Sequence, residues 1–212
     1  MKNYIFLFLS LNMLACSSKK NTNELKEAPV KYQTRLKNPE KAIVPQASNK
    51  VYLGAIQFEK DNLIKITLPD STLVVAKQKN SSNRQYFLAK DTFLIFNIKN
   101  LVKGFEVLAK DNKKLWTVTF DDKKIKIAQA DFDKNSFDIE LHQESALVKQ
   151  KEKLLGEVKS EDKEIALYNT KKEKIMYLDF SELYPSLGVL LIEDIGVEER
   201  YAIFSELLAR GY

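Results

Sequence analysis

Phe105 to Ala109 (Phe-Glu-Val-Leu-Ala), Leu115 to Phe120 (Leu-Trp-Thr-Val-Thr-Phe) and Ile125 to Ala128 (Ile-Lys-Ile-Ala) are three short runs rich in β-branched and aromatic residues. Lys110-Asp111-Asn112-Lys113 separates the first two, and Asp121-Asp122-Lys123 separates the second and third. Short runs joined by polar clusters of three or four residues read as strands in hairpins. The same device recurs on either side. Ile64, Ile66 and Leu68 alternate with Lys65 and Thr67, and Phe137, Ile139 and Leu141 alternate with Asp138, Glu140 and His142. Both show the period of two expected of half-buried strands. Polar clusters at 149–153, 160–163 and 169–173 continue the series. The expectation is a mainly β domain, an antiparallel meander of about 9–12 short strands forming a barrel or a sandwich.

Tyr86 to Ala89 and Phe93 to Ile98 are apolar with little alternation. Such strands are expected to be central and covered on both faces, because an exposed apolar edge invites aggregation. After Pro185 the pattern changes. Leu187 to Ile192 (Leu-Gly-Val-Leu-Leu-Ile) reads as a buried strand or helix that periodicity alone does not resolve. From Val197 the spacing is helical, with Val197, Tyr201, Phe204 and Leu208 on one face, Ile203 and Leu207 beside them, and Glu198, Glu199, Arg200 and Glu206 away from it. Glu198 and Glu199 in the first turn, Arg210 at the end and Gly211 as a stop complete a C-terminal helix. This helix is expected to pack across an open face or end of the sheet, with docking of an envelope protein partner as the sharper alternative.

Residues 51–212, about 160 in number, are enough to bury close to 70% of the unfolded surface without disulfide or metal. Upstream the composition differs. In 17–50 there are Pro29, Pro39 and Pro45, no glycine and no sustained apolar period, which reads as a disordered tether. The net charge of +5 belongs to this part: residues 16–50 hold eight basic and three acidic side chains, whereas 51–212 hold 25 and 26. A nucleic-acid footprint requires a basic face on the domain itself, so no nucleic-acid partner is expected. A basic tether suits anionic lipid headgroups, where each Lys or Arg can add about 1 kcal/mol.

Residues 1–15 read as a signal peptide: Lys2 gives the positive end, Tyr4 to Leu11 the apolar middle and Ala15 the small residue before cleavage. The run is short of the ~20 apolar residues that cross a bilayer. Cys16, the single cysteine of the chain, follows directly. Met13-Leu14-Ala15-Cys16 resembles the lipobox of bacterial lipoproteins, with Met13 where Leu is usual. The resemblance implies cleavage before Cys16, acylation of Cys16, and 16–50 as a lipidated, basic tether. Two or three acyl chains make attachment effectively permanent. Enteric lipoproteins kept in the inner membrane carry Asp directly after the cysteine, and some surface lipoproteins carry acidic residues soon after it. Ser17-Ser18-Lys19-Lys20 does neither, which implies the periplasmic face of an outer membrane. The meander with its apolar C-terminal segment, through Gly104 to Asp111 and Leu187 to Ile192, is also similar to the tubby-like and LURP-one-related group. That similarity implies a closed barrel around a C-terminal helix, and lipid or membrane contact.

The chemistry available is limited. His142 is the single histidine, so a multi-histidine zinc site and a Cys/His couple have no residues to form from, and no phosphate-binding glycine loop is present. Asp131, Asp133 and Asn135 alternate as in the opening of a calcium loop, but Ser136 stands where the turn needs Gly and His142 where the bidentate Glu belongs. A solvated turn is the simpler expectation, and no motif calls for a cofactor. The expected function is a membrane-anchored cell-envelope lipoprotein whose β-rich domain binds or scaffolds. Two alternatives are a carrier of an apolar or lipid ligand and a carboxylate-dependent envelope hydrolase. The carrier requires an apolar cavity of about 300 Å³ or more; the hydrolase requires two carboxylates about 5 to 9.5 Å apart in a cleft; the scaffold requires an apolar surface patch.

Overall fold

The computed structural model describes residues 43–47, 53–130, 135–179 and 182–212. Among these, fourteen strands form one antiparallel sheet: β1 (Gln46–Ala47), β2 (Ala55–Phe58), β3 (Ile64–Thr67), β4 (Leu73–Asn80), β5 (Asn83–Leu88), β6 (Phe93–Leu101), β7 (Gly104–Ala109), β8 (Lys114–Phe120), β9 (Lys124–Gln129), β10 (Ser136–Leu141), β11 (Ser145–Gln150), β12 (Lys153–Ser160), β13 (Ile165–Asn169) and β14 (Lys174–Leu178). From β2 to β14 each strand pairs with the next in sequence. The meander is therefore the expected one, with more strands than the nine to twelve expected.

The sheet closes on itself. Gln46 and Ala47 pair with Tyr177 and Met176 of β14, while Ile43 exchanges two backbone hydrogen bonds with Ile56 of β2, at 2.6 and 2.8 Å. One short segment thus joins both edge strands, which satisfies the open backbone groups that an edge would expose. The arrangement is a barrel and not a sandwich. Ile43 and Ala47 are buried and lie within the stretch that composition marks as tether, so the sheet begins before residue 51. Five residues are too few to show a period, and their partners lie far along the chain.

Strand after strand turns one face inward: Ile56 and Phe58, Ile64 and Ile66, Phe105 and Val107, Ile125 and Ile127, Phe137 and Ile139 are buried, and the residues between them face outward. The outward set includes Lys65, Lys126, Glu140, Lys149 and Glu157. That is the reverse of a membrane-spanning barrel, which faces lipid with an apolar band. Among the described residues no helix is long and apolar enough to cross a membrane.

The interior is filled by the C-terminal segment. It enters between the β8–β9 and β10–β11 hairpins and runs as a 3-10 helix, Pro185–Leu191, all seven residues buried. After a turn at the opposite end it returns as α1 (Val197–Ala209), with Tyr201 through Ala209 all buried. The Leu187–Ile192 stretch is thus neither a strand nor an α-helix. Gly188 lets it approach the wall: a Cβ there would lie 2.8 Å from Val148 Cγ2 and 3.2 Å from Ile139 Cδ1.

Two expectations for α1 are overturned. The helix does not lie across an open face or end of the sheet but runs inside it, and the face it buries is not the one the spacing marks. Glu206, expected on the solvent side, is fully buried, whereas Val197, expected on the apolar face, is 42% exposed. The reason is a set of polar partners inside the barrel. Arg84 on β5 reaches Glu206 at 3.0 Å, Arg210 bonds the other carboxylate oxygen, and the Tyr86 hydroxyl donates to Glu206 at 2.8 Å. Such a network is weak evidence for stability over an apolar core, but it ties the helix to one setting against β5.

The two apolar runs form β5 and β6, adjacent and covered on the inside by Tyr86, Phe96 and Ile98. They are not covered on both faces. Val75, Phe87 and Leu94 form a cross-strand row on the outside of β4, β5 and β6, half-buried by one another, with Leu73 nearby 40% exposed.

Candidate functional site

Because the closed sheet is occupied by the 3-10 helix and α1, groups that could meet a ligand lie at its two ends. Among the described residues the buried polar side chains Arg84, Asn100, Ser205 and Glu206 belong to one network around Glu206, while Ser186 donates to the Tyr212 carbonyl at 2.5 Å. Burial alone would push the Glu206 carboxyl up, but Arg84, Arg210 and the Tyr86 hydroxyl together hold it below its usual range. Tyr86 is held well above the ordinary tyrosine range, by burial first and then by the Glu206 charge. Its hydroxyl also lies 2.8 Å from the Ser205 hydroxyl. Arg210 continues the network by donating to Asn100 at 2.5 Å and by stacking over Phe105, its guanidinium carbon 4.4 Å from the ring centre.

At the end where α1 finishes, a cleft of about 360 Å³ is lined by Asp122, His142, Glu182, Tyr184, Arg210 and Tyr212 among others. The hairpins 121–123 and 142–144 bring Asp122 and His142 to its wall, and the approach to the 3-10 helix brings Glu182 and Tyr184. Burial, and then Glu182, raise the Tyr184 phenol above its ordinary value. His142 is exposed, as expected, though it sits in the turn after β10 and not on the strand, its amide donating to the Ser145 carbonyl at 2.8 Å.

At the opposite end, a cleft of about 390 Å³ lies between β11–β14 and the turn joining the 3-10 helix to α1. Its apolar lining comes from Leu155, Ile175, Met176, Leu190 and Leu191; Gln150, Lys153, Asn169, Glu193, Asp194 and Arg200 supply the polar part. Arg200 fastens the turn: Nε and Nη2 donate to the Ile195 carbonyl at 3.2 and 2.8 Å, and Nη2 to the Glu193 carbonyl at 3.1 Å. Burial lowers the Arg200 pKa from its usual value, opposed by the Glu193 charge. Asp194 is occupied by the Gln150 amide at 3.1 Å.

Of the sequence-predicted sites, Cys16, Asp131 and Asp133 lie outside the described residues. Asn135 is described, and its amide donates to the Gln129 side chain at 2.8 Å across the β9–β10 turn. Among the described residues no three acidic, histidine or cysteine side chains gather as metal ligands. The sequence marks neither Arg200 nor Met176 as a site residue. Arg200 reads as part of a solvated helix face, and Met176 as one apolar residue of a late strand, until the closed sheet brings them to one cleft. Compared with protein-family models, with curated proteins and with solved structures, the chain matches none.

Proposed function

We propose that this chain is a cell-envelope lipoprotein, held at the periplasmic face of an outer membrane through acylated Cys16, whose closed β-domain is a binding or scaffolding module. The observation that carries the reading is Ala15-Cys16 at the end of an apolar run, with no second cysteine anywhere in the chain. Acylation consumes the one thiol that an oxidising compartment would otherwise leave exposed. The outward Lys and Glu of the barrel suit a domain standing in water beside the bilayer. Residues 17–42 separate the anchor from Ile43 and at full extension reach at most about 90 Å. Replacing Cys16 by Ala should abolish incorporation of labelled fatty acid and release the protein from membranes. Unchanged labelling would refute the anchor.

A second reading, carriage of an apolar or lipid ligand, is favoured by the cleft of about 390 Å³ with its five apolar lining residues. Its volume falls within the ~300 to 1,000 Å³ of small-molecule sites. The ligand would lie at the barrel end, since the 3-10 helix and α1 occupy the interior.

A further inference from the structure

We infer that the Arg200 cleft binds a single-chain anionic amphiphile, its head against Arg200 and its chain along Leu155, Ile175, Met176, Leu190 and Leu191. The inference rests on the second reading above and not on the anchor at Cys16.

Arg200 carries the argument. Three of its N–H groups are spent on backbone carbonyls, and the two on Nη1 meet no acceptor among the described residues. Among the described residues no carboxylate lies within ion-pair distance of it, whereas the other two described arginines, Arg84 and Arg210, are each paired with Glu206. A guanidinium in that position is drawn partly out of water and held in place, with donors left over and Glu193 acting on it only from beyond ion-pair contact. A carboxylate or phosphate head supplies acceptors and a charge in contact. Glu193 and Asp194 line the same cleft but are exposed, so water screens them, and Asp194 already accepts from Gln150. Lys153, also exposed, adds a second cation to the lining. The apolar residues beside Arg200 then set the other half of the ligand. Leu190 and Leu191 are 4% and 8% exposed and form a fixed surface, while Leu155, Ile175 and Met176 are half-buried strand residues that can give way to a chain.

Met176 provides a local probe, because the chain's other methionines, Met1 and Met13, precede the domain. The full chain carrying Cys16→Ser, so that no acyl group competes, is labelled at methionine methyl carbons and titrated with dodecanoate below its micelle concentration. The Met176 resonance should shift saturably. Dodecyltrimethylammonium, with the same chain and the opposite charge, should bind at least about tenfold more weakly, and Arg200→Gln should weaken dodecanoate by a similar factor. The cationic probe is needed because Arg200→Gln also removes the bonds that fasten the turn. Equal affinity for the two probes would overturn the anionic preference while leaving a carrier standing. Absence of any Met176 shift with either would overturn both.

Discussion

Arg84 on β5 and Glu206 on α1 are 122 residues apart in the chain and 3.0 Å apart at their charged groups, with side chains 1% and 0% exposed. Removing one member of such a pair strands the other in a medium that solvates charge poorly. Arg84→Met should therefore destabilise the domain by about 3 kcal/mol or more. Urea unfolding at neutral pH measures this, and a loss below about 1 kcal/mol would show that the pair contributes little.

Acid should act on the same carboxylate. Glu206 is held below the ordinary value of 4.5 in the folded state, so folding favours its ionised form. That contribution is present above pH 4.5 and is lost as pH falls through the lower folded value. Glu206→Gln should be less stable than the parent at pH 7 and should lose less stability on acidification from pH 5 to pH 3. Parallel stability profiles for the two proteins would exclude Glu206 as a source of acid sensitivity.

Closure of the barrel depends on Ile43, 2% exposed and paired with Ile56. Ile43→Ala should cost about 2–4 kcal/mol. Hydrogen exchange gives an independent check: the Ile43 and Ile56 amides, both bonded across the closure, should be protected, and exchange as fast as in an unfolded peptide would mean an open sheet.

Gly188 should tolerate no side chain without a matching loss from the wall. Gly188→Ala places a methyl against Val148 and Ile139 and should cost about 1–3 kcal/mol. Val148→Ala alone opens a cavity, so the double variant should be more stable than the sum of the two losses predicts. Strict additivity would argue against the contact.

The outer row of Val75, Phe87 and Leu94 should matter little to folding. Phe87→Thr and Leu94→Thr are expected to change stability by less than about 1 kcal/mol, because neither packs on the core. Tyr86→Phe, one residue away but inward, removes the hydrogen bond to Glu206 and should cost about 1–3 kcal/mol. Thermal unfolding of the three variants separates the faces.

Much of the architecture was legible in local pattern. The polar clusters after Ala109 and Phe120 mark real hairpin turns, and Lys65 and Lys126 face outward as the alternation requires. Gly211, with φ of +84°, ends α1 where the sequence places its stop. The strand count ran low because β1 and β2 hold only two and four residues. The candidate clefts were not legible, since each assembles groups from strands, the 3-10 helix and α1 that no spacing relates.

By itself the sequence determined the strand class, the hairpin order and the helix at the end, because these follow from periods of 2 and 3.6 and from turn residues a few positions apart. Only the tertiary structure decided that the sheet closes, that α1 runs inside it, and that Glu206 is a core residue. A local pattern scores Glu206 by its charge, whereas its burial depends on two arginines and a tyrosine brought to it by a strand and by the end of its own helix.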